Sequence, residues 1–101
     1  MPVKCKEEQR HLTARVEGEL DHHQAREVME ELDRRIDAAQ PRDLTLDLGG
    51  LTFTDSSGIA VLIRTYRRMG QIRGAMRVVN TPPQAQKVFQ AAGLERLIRF
   101  E

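Results

Sequence analysis

At 101 residues the chain is long enough for one modest hydrophobic core and too short for two, so a single domain without a linker is expected. Lys and Arg number 16 against 15 Asp and Glu, a formal net charge of +1, which removes any overall electrostatic case for nucleic acid or an anionic membrane as partner. Cys5 is the only cysteine, which rules out an internal disulfide and a thiolate metal cluster and fits a reducing cytoplasm.

Met1 to Gln9 carries Lys4, Lys6, Glu7 and Glu8 with no apolar signal core. No later run approaches the roughly 20 apolar residues of a spanning helix, so a cytoplasmic, soluble protein is expected. Val3, Cys5 and Glu7 alternate with Lys4 and Lys6, and Leu12, Ala14 and Val16 alternate with His11, Thr13, Arg15 and Glu17. This predicts two short strands joined by a turn, the second ending at Gly18.

Asp21, followed three residues later by Gln24, is a capping-box-like helix start. Ala25, Val28, Met29, Leu32, Ile36 and Ala39 then recur at helical spacing, with Arg26, Glu27, Glu30, Glu31, Asp33, Arg34, Arg35 and Asp37 opposite. A helix of about five turns should end before Pro41, because a residue preceding proline avoids the α region.

Leu44 to Leu48 alternates between Asp43 and the pair Gly49-Gly50, and reads as a central strand. Gly49 to Thr54 is predicted to be a loop held to the core by burial of Leu51 and Phe53. Ile59, Leu62, Ile63, Tyr66 and Met69 form the stripe of a second helix reaching about Gly70, with Arg64, Arg67, Arg68 and Gln71 opposite. Ala75 to Val79 suits a strand. Thr81-Pro82-Pro83-Gln84 predicts a third helix with Thr81 as N-cap and Gln84 in a capping role, and Gly93 as its stop. Leu97 to Phe100 closes the chain as a short strand. Right-handed crossovers then give an α/β sandwich: a mostly parallel mixed sheet with amphipathic helices packed against it and an antiparallel pair at its N-terminal edge.

The stretch Thr54-Asp55-Ser56-Ser57-Gly58 stands between a strand and a helix. Ser56 there is either a plain N-cap or a phosphorylation switch. A phosphate would add about −1.5 to −2 charge at a helix start whose N–H groups and dipole tolerate it, while making the spot beside Asp55 hostile to a closely packed partner. Asp21-His22-His23 matches the triplet of a phosphoesterase signature, but His11 and scattered carboxylates do not complete a two-metal site. A serine hydrolase is disfavoured because Ser56 lacks the glycine two positions earlier that a nucleophile elbow requires. Arg64, Arg67 and Arg68 are either a solvated helix face or a steering patch for an acidic partner. Cys5 reads as a small strand residue.

Gly18 to His23, Leu51 to Ile59, Ala92-Gly93-Leu94 and Ile98 to Glu101 resemble the anti-sigma factor antagonists of the STAS family, nearest its sporulation members. The resemblance implies a STAS-type fold, no enzymatic activity, no cofactor and a place in the regulation of transcription by partner switching. It implies that the unphosphorylated protein binds an anti-sigma factor serine kinase, that phosphorylation of Ser56 ends binding, and that a PP2C-type phosphatase restores it. ATP and magnesium would belong to the kinase. Asp21, His22, Thr54, Asp55, Ser56, Ser57, Gly58 and Ile59 would form the docking surface, with Gly58 giving the kinase close access to the helix start. STAS modules of a stress-signalling scaffold or a lipid-transport complex are the alternative within the family. One departure is the chain end: such antagonists continue past the final strand into another helix, whereas this sequence stops at Glu101, which leaves the last strand less covered or the sequence shortened.

Overall fold

The computed structural model describes residues 2–101. Strands β1 (Val3–Glu8), β2 (His11–Leu20), β3 (Asp43–Thr54), β4 (Ala75–Val79) and β5 (Arg99–Phe100) alternate with helices α1 (His22–Ala39), α2 (Ser57–Gln71) and α3 (Pro83–Ala91). The sheet order is β1-β2-β3-β4-β5, with β1 antiparallel to β2 and every other pair parallel. The expected fold class and the central place of β3 are as observed. Each parallel crossover steps one strand in the same direction, so right-handed connections lay the helices on one face of the sheet.

Burial follows the pleat. Leu12, Ala14 and Val16 of β2, Leu44, Leu46 and Leu48 of β3, and Met76 and Val78 of β4 are buried beneath the helices in one cluster with Val28, Leu32, Ile36, Leu62, Met69 and Phe89. The opposite face is polar. Arg15 pairs with Glu17 and Asp47 at 3.2 Å each, Lys4 reaches Glu17 at 3.1 Å, and Asn80 donates to Asp47 at 3.1 Å.

Two strands run further than their sequence suggests. β2 continues past Gly18 to Leu20, and β3 continues through the predicted loop to Thr54. The register between them shifts at Arg15/Glu17 and again at Gly18/Glu19, where β3 takes one extra residue each time. Such bulges let pairing continue while re-aiming side chains. The glycine pair therefore does not end the strand. A Cβ on Gly50 would press on Glu17 and the Arg15 guanidinium, so the glycine makes room for the ion network on the open face. The second shift also turns Phe53 outward: Leu51 is buried as expected, but Phe53 is 43% exposed.

Smaller corrections concern helix faces and ends. Glu31, expected on the solvent face of α1, is buried with Arg34 and Arg35 at 3.1 and 2.9 Å. The buried stripe of α2 is Val61, Leu62, Thr65 and Met69, leaving Ile59, Ile63 and Tyr66 half-buried; Thr65 fits because its hydroxyl donates to the Val61 carbonyl at 2.8 Å. At α3 the N-cap is Pro82, not Thr81, and Gly93 lies just past the helix with φ 73°. The final strand is shorter than predicted, because Leu94–Arg96 forms a 3-10 turn and Leu97 is exposed. Among the described residues no helix is long and apolar enough to cross a membrane.

Candidate functional site

The parallel pairing of β2 with β3 matches Leu20 to Thr54, which sets the β2–α1 and β3–α2 junctions side by side. The Asp21 carboxylate caps α1, accepting from the amides of His23 at 3.0 Å and Gln24 at 2.9 Å. Next to it, Asp55 does the same for α2, accepting from the Ser57 amide at 2.7 Å. The plain N-cap reading of Ser56 is therefore half wrong. Ser56 occupies the cap position but makes no capping bond with its side chain, since its backbone is already helical (φ −62°, ψ −17°) and not in the extended conformation of a capping serine. Its hydroxyl is exposed, and among the described residues no hydrogen bond to it is seen.

The hydrogen bond from the Ser57 amide holds the Asp55 carboxyl below the usual carboxylate range against the opposing effect of burial, with lesser help from the Ser57 hydroxyl and from His22. The carboxylate thus stays charged beside the Ser56 hydroxyl at neutral pH. His22 and Ser57 line one shallow hollow, floored by Ala25, Met29 and Ala60 between α1 and α2. Phe53, exposed immediately before Thr54, extends the same end of the molecule with an apolar side chain.

Thr54 and Gly58 belong to the foundation of this end and not to its outer layer. Both are buried. The Thr54 hydroxyl lies 3.1 Å from the carbonyl oxygens of Leu20 and of Asp55, to either of which it can donate. A Cβ on Gly58 would overlap that hydroxyl and touch Leu20 and Phe89. Gly58 therefore serves close packing of α2 on the ends of β2 and β3, a structural role beside the access to the helix start expected of it.

Sequence reasoning missed Gln84. Its amide does not cap α3: the oxygen accepts from the Thr54 amide at 3.0 Å and the nitrogen donates to the Thr54 carbonyl at 2.8 Å. Thirty residues separate the partners, and nothing in the local pattern Thr81 to Gln84 distinguishes this use from a capping box. Of the three arginines on α2, Arg64 pairs with Asp33 at 2.8 Å and Arg68 pairs with Asp37, so two of them tie α2 to α1. Among the described residues no cluster of three His, Cys, Asp or Glu side chains is arranged to hold a metal. Cys5 is half-buried against Arg35, and burial pushes its thiol up, away from the reactive thiolate.

Fold and site together define a two-layer α/β module that presents an unbonded serine hydroxyl and a charged carboxylate at the start of its second helix. A family model described as STAS domain matches residues 3–101, and the chain belongs to that family. The anti-sigma F factor antagonist of Paenibacillus polymyxa is 33% identical to it over 87 residues, 86% of this chain and 74% of that protein. The structure of the anti-sigma factor antagonist SpoIIAA in its unphosphorylated form matches with a TM-score of 0.83 at 25% identity, over 98% of this chain and 87% of that one. The phosphorylated form of the Bacillus cell fate determinant SpoIIAA shares the fold, with a TM-score of 0.75 at 24% identity over 98% and 90% of the two chains.

Proposed function

We propose that this protein is an anti-sigma factor antagonist of the partner-switching type. Its unphosphorylated form binds an anti-sigma factor that is also a serine kinase, so that the sigma factor is released; phosphorylation of Ser56 ends that binding, and a PP2C-type phosphatase reverses it. ATP and magnesium belong to the kinase, and this chain carries no catalytic residue. The observation that supports the reading best is the exposed Ser56 hydroxyl, free of the capping bond that serine at such a position ordinarily makes. The names of the relatives and the two SpoIIAA states point the same way.

The physics of the switch is local. With Asp55 already occupying the Ser57 amide, a phosphate on Ser56 finds the helix dipole but not that donor, and it projects into solvent. Folding loses little, because the Ser56 side chain makes no capping bond to lose. Docking loses a great deal, because a partner covering Asp21, His22, Phe53, Asp55, Ser57 and Ile59 would have to desolvate a phosphate next to a carboxylate.

The test is incubation of the protein with ATP, magnesium and an anti-sigma serine kinase, followed by peptide mass mapping. One phosphate on the peptide carrying Ser56, absent from Ser56→Ala, is expected. Phosphate on Ser57, or none, would overturn the assignment.

A further inference from the structure

We infer that Gln84, on the first turn of α3, is a positioning residue for Ser56. The inference rests on the reading of Ser56 as phosphoacceptor and adds to it a residue whose two side-chain hydrogen bonds both go to Thr54, two positions before the serine.

β3 is paired with β4 only from Asp43 to Asp47, so its last seven residues have no strand on that side. Thr54 nevertheless has both backbone groups satisfied there, because the Gln84 amide supplies one acceptor and one donor in the manner of an adjacent strand. On the other side Thr54 is held by its pairing with Leu20, and its side chain is wedged over Gly58. Two residues beyond this clamp the Ser56 hydroxyl emerges. With Thr54 fixed on both edges, the chain from Thr54 to Ser57 has one path, closed by the Asp55 bond to the Ser57 amide. Phosphoryl transfer depends on the acceptor oxygen lying in line with the phosphate, and a displacement near 1 Å can cost about a hundredfold in rate. Gln84 is itself exposed outside these two bonds, so its role is to fix the loop and not to fill the core.

The test compares the wild type with Gln84→Ala and Gln84→Glu. Two measurements are made: amide hydrogen exchange on the free protein, and kcat and KM for phosphorylation of Ser56 by the serine kinase with ATP. In Gln84→Ala, exchange of the Thr54 amide should rise about tenfold or more while the central amides of Leu46 and Val78 stay protected. Its kcat should fall about tenfold with KM nearly unchanged, since the docking residues remain. Gln84→Glu sets a carboxylate oxygen against the Thr54 carbonyl in place of the donor, so it should lose kcat at least as far as Gln84→Ala. An unchanged kcat in Gln84→Ala, or a loss that accompanies faster exchange at Leu46 and Val78, would overturn the positioning role. A wild type that takes no phosphate at Ser56 would instead overturn the reading beneath it.

Discussion

Two adjacent residues share the work that the sequence pattern assigns to one. Asp55 caps α2, and Ser56 is left free. Ser56→Ala should therefore change the unfolding free energy by less than about 0.5 kcal/mol in urea titration, below what a lost serine cap ordinarily costs. Asp55→Ala should lower the thermal midpoint by a few degrees. The sign of the pH effect follows from the Asp55 carboxyl being held below its ordinary value. Its contribution to stability is fully present above the unfolded aspartate pKa of about 3.9 and is lost as pH falls through the lower folded value. The stability difference between wild type and Asp55→Ala, constant near neutrality, should shrink below about pH 4. A serine is easy to see in a sequence, whereas which of two polar neighbours caps the helix depends on backbone angles at Ser56 that no spacing rule reports.

At the scale of elements, helix positions and strand alternation were legible because each follows from a local period. The five-turn length of α1, its Asp21 cap and its end at Pro41 all emerge from residues within reach of one another. β3 was not legible beyond Leu48, because Gly49-Gly50 has the composition of a turn, and only pairing with β2 across a bulge carries the strand on to Thr54. The exposure of Phe53 and the clamp from Gln84 were hidden for the same reason, since both depend on segments distant in sequence. Gly58 marks where α2 meets the strand ends. Gly58→Ala would drive a methyl group into Thr54, and should destabilise the fold by about 1–3 kcal/mol in denaturant titration, with α2 displaced from Leu20 and Phe89. Its effect on partner binding should then follow the displaced loop, not lost contact at Gly58.

Across the whole molecule, the parallel run of β2 and β3 gathers two helix starts, with their carboxylates Asp21 and Asp55, at one end of the sheet. A phosphate at that end moves the formal net charge from +1 to about −1 while touching no buried group. Binding is thereby separated from folding, and the most direct test measures both on the same two samples. The unphosphorylated and Ser56-phosphorylated proteins are each titrated calorimetrically into the anti-sigma serine kinase and each melted alone. The phosphorylated form should bind at least about a hundredfold more weakly, with a thermal midpoint within about 2 °C of its counterpart. Equal affinities, or a loss of affinity matched by a collapse in the midpoint, would contradict that separation.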